Sequence, residues 1–149
     1  MTITYNENIE VEKQMRQNML KEFHLKNNET KAVLNRFLGK KDKPINFNDL
    51  ILNFNVNEWI FVNDKVKFKL IYFNETTVIF DTVMDRNGDF GTHYHNDCRE
   101  DVEVLEGVLF DSTTSKIFKK GETAVFEAME KHTPIALEKC ILKVTFNKE

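Results

Sequence analysis

The residues of this 149-residue chain whose types and spacing could do chemistry lie mostly in one short segment. His93 and His95 stand two residues apart, and Glu100 follows them. On an extended backbone a spacing of two sends both imidazoles to the same side, so two neutral nitrogens can converge on one metal ion. Glu100 can add an oxygen. His132 lies in a second strand-rich stretch that can fold back beside the first. Three imidazoles and one carboxylate would form a mononuclear site, with one or two coordination positions left for water, dioxygen or substrate.

Other groups nearby carry weaker signals. Cys98 stands between His95 and Glu100, where a thiol could approach a metal, respond to oxidants or simply face water. Tyr94, between the two histidines, is expected on the opposite side of the strand. Glu103 and Glu106 are candidate acid or base groups that could equally be solvated, and no paired-carboxylate mechanism follows from them. His24, the remaining histidine, sits in a helix-like stretch and is expected to have no role.

These residues need a scaffold of strands. The pattern predicts strands over residues 59–62, 66–73, 76–84, 102–110, 123–126 and 140–146, punctuated by turns at Asn63-Asp64, Asn74-Glu75, Asn87-Gly88 and Lys120-Gly121. Strict alternation in Val66-Lys67-Phe68-Lys69-Leu70 puts three apolar side chains on one face and two lysines on the other. Most of the phenylalanines, Phe61, Phe68, Phe73, Phe80, Phe110, Phe118 and Phe126 among them, are expected in the core. Short strands at this spacing without intervening helices favour an antiparallel barrel or sandwich.

The N-terminal part reads differently. Val11, Met15, Met19 and Phe23 recur every four residues as one helical stripe, and Asn28 begins a second short helix whose apolar face is Val33, Leu34, Phe37 and Leu38. Gly39 ends it, and a solvated link reaches Pro44. The expected division is a helical extension over residues 1–45 and a β-barrel domain over residues 46–149.

Composition narrows the function classes. With 41% hydrophobic and 30% charged residues and a net charge of -3, the chain reads as one globular domain with no general electrostatic grip on nucleic acid or an anionic membrane. Folding at this length buries roughly 70% of the surface the unfolded chain exposes, so Cys98 and Cys140 need not be bridged. No apolar run approaches a membrane span or a secretory signal, and a cytoplasmic location is expected. Glycine-rich phosphate loops, the G-x-S-x-G elbow and basic aromatic clusters are missing, which sets aside nucleotide hydrolysis, serine esterase chemistry and single-strand binding.

The pattern H-x-H-x4-E-x6-G from His93 to Gly107 resembles the first cupin motif, with Gly88 one residue closer than the usual leading glycine. Gly121 and His132, eleven residues apart, resemble the second, although Glu127 and Met129 replace its usual proline and second glycine. The resemblance spans roughly residues 59–146. It implies a mainly β fold, a jelly-roll barrel whose metal ligands are His93, His95, Glu100 and His132, holding one divalent metal: zinc or iron first, then manganese, nickel or copper. The strands from Val104 to Asp111 and from His132 to Val144 resemble cupins related to the ChrR-type anti-sigma factor, a subgroup in which zinc is usual and which includes proteins similar to dioxygenases of aromatic ketones. Residues 1–58 hold no cysteine and a single histidine, so they lack the zinc-binding set that the anti-sigma proteins carry there. The leading expectation is a metal-binding cupin, dioxygenase-like if its metal is iron, that binds or transforms a small organic molecule, as a homodimer, with the N-terminal helices either covering a barrel end or extending the dimer interface. The alternative is a non-catalytic, zinc-binding or redox-responsive regulatory module.

Overall fold

The computed structural model describes residues 43–149, which form one short helix and nine strands. The two expected N-terminal helices, and His24, lie outside the described residues. Helix α1 (Phe47–Leu52) occupies a stretch with no clear period in the sequence. It forms because its first turn is capped: its own Asp49 accepts the Asn46 N–H at 3.1 Å, and Asp97, from outside the helix, accepts the Phe47 N–H at 2.8 Å. Its Phe47 and Leu50 are buried, as is Ile45 just before it.

The strands are β1 (Trp59–Asn63), β2 (Val66–Phe73), β3 (Thr77–Met84), β4 (Cys98–Glu106), β5 (Val108–Asp111), β6 (Lys116–Lys119), β7 (Thr123–Phe126), β8 (Pro134–Ala136) and β9 (Cys140–Lys148). One sheet has six strands in the order β1-β2-β3-β9-β4-β7, the other three in the order β6-β5-β8, and every pairing between named strands is antiparallel. Strand β9 pairs with both β3 and β4, so the C-terminal strand joins the β1–β3 meander to the strand that carries Glu100.

The alternation read from Val66 to Leu70 holds: Val66, Phe68 and Leu70 are buried. They meet Val78, Phe80, Val102, Val104, Leu142, Val144 and Phe146 in a core that also takes Leu109 and Ala136 from the smaller sheet. Phe68 and Phe80 pack edge to face at 5.2 Å, and each meets Phe54 the same way at 5.1 and 5.9 Å. Phe61 and Phe73 depart from expectation and are exposed, Phe61 on the outer face of edge strand β1 in register with Lys67.

The expected strand over residues 102–110 is two strands. It breaks at Gly107, whose φ of +91° turns the chain from one sheet into the other. A β-carbon there would lie 2.1 Å from the Lys139 carbonyl oxygen, so this turn admits glycine alone without rearrangement. Strands β6 and β8, four and three residues long, carry too short a pattern to be read from the sequence.

Candidate metal centre

His93 and His95 lie in an extended segment outside the named strands, held by isolated bridges. His93 pairs with His132 through both backbone groups, at 3.1 and 3.0 Å, and His95 pairs in parallel with Ile45. A tight turn starts this segment: Asp89 Oδ1 accepts the Gly91 N–H at 2.7 Å, with Gly91 at a φ of +85°. The same turn presents the Gly91 carbonyl to His93 Nδ1 at 2.9 Å. The second approach is built alike. Glu130 Oε2 accepts the Glu127 N–H at 2.9 Å, Met129 takes a left-handed φ of +69°, and the Glu130 carbonyl meets His132 Nδ1 at 3.1 Å. Met129 thus adopts the backbone conformation that glycine favours, and the turn forms without one.

The four side chains meet. One nitrogen from each of His93, His95 and His132 and one oxygen of Glu100 lie within 4.8 Å of one another, and all four residues are buried. Glu100 Oε2 is 2.9 Å from His95 Nε2 and 2.8 Å from His132 Nε2. Hydrogen bonding of the two Nδ1 atoms to carbonyls makes them proton-bearing nitrogens of His93 and His132, so that in the neutral ring the lone pair is on Nε2. Aromatic rings hold the imidazoles in place: Phe126 stacks on His132 at 4.1 Å, and Phe146 lies 4.8 Å from His95.

The electrostatics are those of charges removed from water. Burial, and then the neighbouring His132, push His93 well below 6.5, and burial likewise lowers His95 against the pull of Glu100. Burial alone would raise Glu100, but the adjacent His132 and the hydrogen-bonded His95 outweigh it and hold the carboxyl well below the usual carboxylate range. Burial opposes protonation of His132 too, yet the Glu100 carboxylate raises it.

A hydroxyl network backs the centre. Thr133 Oγ1 lies 2.6 Å from Thr92 Oγ1 and 2.8 Å from Thr113 Oγ1, while the Thr133 N–H donates to Asp111 Oδ1 at 2.8 Å. Asp111 is buried and also accepts from the Thr113 N–H at 3.2 Å and the Thr114 hydroxyl at 2.6 Å. The sequence reading passed over this network because threonines and a lone aspartate spread along the chain show no spacing signal.

The other candidate residues stand apart. Cys98 begins β4; it is fully buried, and desolvation pushes its thiol up to about 12. Tyr94 is half-buried, with the Lys131 ammonium 5.5 Å from its ring. Glu103 and Glu106 are exposed, Glu106 paired with Lys120 at 2.8 Å. Beside the cluster is a cavity lined by His93 and Glu100 together with Phe68, Phe80, Phe90 and Phe146.

The residues fit a divalent metal. The donor set is three nitrogens and one oxygen with no sulfur, a combination suited to first-row divalent ions. His132 Nε2 approaches Glu100 Oε2 to 2.8 Å off the direction of a hydrogen bond and is left without a hydrogen-bonding partner, a lone pair that a cation in the shared space would satisfy.

No protein-family description matches this sequence, and no curated protein matches it. Solved structures do. KdgF from Halomonas sp. is 18% identical with a TM-score of 0.58, the match covering 64% of this chain and 93% of that one. An RmlC-like cupin from Shewanella frigidimarina is 17% identical with a TM-score of 0.56, over 64% and 90% of the two chains. The structure of Rhodobacter sphaeroides SigE in complex with the anti-sigma ChrR matches at 18% identity and a TM-score of 0.53, over 63% of this chain and 49% of that one. With its antiparallel jelly-roll strands and a buried group of three histidines and a glutamate that could hold a metal, the chain folds as an RmlC-like cupin.

Proposed function

We propose that this chain is a mononuclear metal protein that binds or transforms a small organic molecule, with His93, His95, Glu100 and His132 as the ligands. The observation that carries the reading is the convergence of four buried donor atoms within 4.8 Å, two of their residues forming a wall of an apolar cavity. A bound divalent ion would supply Lewis acidity and an open coordination position, and iron would add access to dioxygen chemistry. The rest falls to the chain. Glu100, held ionised, provides the one negative charge against the cation. The Gly91 and Glu130 carbonyls fix the tautomer of His93 and His132, so that the neutral rings carry their proton on Nδ1 and present Nε2. Phe126 and Phe146 restrict the rings of His132 and His95 and exclude water around them.

A regulatory module is the second reading, and the likeness to the ChrR complex speaks for it. The redox-responsive version has less support, since both cysteines are buried and their thiols are raised to about 12 and about 11.

Elemental analysis of protein purified without chelators or added metal tests the metal reading. We expect close to one zinc or iron per chain. His95→Ala should lose most of it while keeping the strand signature of the folded chain in circular dichroism, and His24→Ala should lose none. Full retention in His95→Ala would overturn the assignment. Iron directs the next step to oxygen-uptake screens with small aromatic substrates, and zinc to Lewis-acid chemistry or regulation.

A further inference from the structure

The walls of the cavity restrict what can enter it. We infer that the site takes monofunctional organic molecules: a single metal-binding head on a short, unsubstituted apolar body. The inference rests on the metal reading above and names the ligand class of that same site.

Four phenylalanines, Met84 and Leu142 supply most of the wall. Besides His93 and Glu100, the described lining side chains offer one hydrogen-bonding group, the Thr82 hydroxyl. Thr82 is 3% exposed. Among the described residues, no lysine, arginine, amide or second carboxylate lines the space. A second charge on the part of the ligand inside the cavity would therefore meet no counter-ion among these side chains, and a row of hydroxyls there would be stripped of water with a single partner among them. An alkyl body loses nothing on entry and gains from leaving water. Size adds a limit: the cavity measures about 30 Å³, space for roughly two water molecules, so the part of the ligand beyond its head amounts to a few carbons.

A hydroxamate series separates the head from the body, because each member offers a metal the same head. The zinc content of the full-length chain is measured first, and calorimetric titrations then compare acetohydroxamate, butyrohydroxamate and 2,3,4-trihydroxybutyrohydroxamate. Two further buried methylenes, at about fourfold each, predict that butyrohydroxamate binds about fifteenfold tighter than acetohydroxamate. The trihydroxy compound, of the same carbon length, should bind no tighter than acetohydroxamate. Val102, on β4 two residues beyond Glu100, lines the same space. Val102→Phe should abolish the butyrohydroxamate advantage while zinc content and acetohydroxamate binding persist, and Val102→Ile, a milder change should Val102→Phe not fold, should reduce it.

Trihydroxybutyrohydroxamate binding as tightly as butyrohydroxamate would overturn the inference. So would an advantage untouched by both Val102 variants, or a zinc-loaded chain that binds no hydroxamate. A chain that takes up no zinc or iron fails at the earlier step and overturns the metal reading itself.

Discussion

Thr92 and Thr133, 41 residues apart in the chain, meet through their hydroxyls at 2.6 Å. One precedes His93 and the other follows His132, so this hydrogen bond and the paired backbone bonds between the two histidines staple the two ligand-bearing segments together. Asp111 anchors the staple by accepting the Thr133 N–H.

Thr133→Val keeps the shape of the side chain and removes both hydroxyl contacts. Supporting groups of this kind are worth about ten- to a hundredfold in metal affinity, and we expect a loss near the lower end because the backbone bonds remain. Thr114→Val, which removes only the hydroxyl on the far oxygen of Asp111, should lower stability by about 1 kcal/mol and leave affinity within a factor of two. Zinc titrations against a competing chelator, together with urea melts of the metal-free proteins, read the two effects separately. Equal affinities for Thr133→Val and the parent chain would show that the staple does not tune the site.

The buried thiols provide a probe of opening. Burial raises both cysteines, Cys140 to about 11, and a raised value means less thiolate at any pH below it. At pH 8 neither cysteine of the folded chain should react with Ellman's reagent beyond a trace, and both should titrate when urea unfolds it. Reactivity should climb as pH approaches 11. One fast thiol in the folded state at pH 8 would revive a redox role for Cys98.

Two glycines at positive φ separate strain from collision. Gly121, at +88°, has open space where a β-carbon would go, so Gly121→Ala should cost about 1 kcal/mol, the penalty of the left-handed region alone. Gly107→Ala carries the same penalty and also drives its methyl into the Lys139 carbonyl. A loss of about 3 kcal/mol or more is expected there. Urea midpoints of the two variants against the parent chain make the comparison, and similar midpoints would mean that the turn between β4 and β5 adjusts freely.

Much of the protein is legible in its sequence because strand periodicity and motif spacing are local. Alternation from Val66 to Leu70 marks a half-buried strand, and the two-residue spacing of His93 and His95 puts both on one side of an extended chain whatever the fold. The cupin likeness rested on the same spacings, and the four residues it named are the ones brought together. Local signals end where contacts between distant residues decide. Helix α1 depends on a cap from Asp97, beyond the reach of any periodicity in its own six residues. The split at Gly107 depends on the nearness of Lys139, and the exposure of Phe61 on its place in an edge strand with one neighbour. The Asp111–Thr133–Thr92 network and the apolar wall of the cavity beside Glu100 exist only because distant segments meet, β2, β3, β4 and β9 at the wall and the approaches to His93 and His132 at the network. Residue type and spacing determined which side chains could bind a metal. Tertiary packing decided how dry they are, what holds them and how little room a ligand has, since burial and close contact arise from surfaces that no single segment possesses.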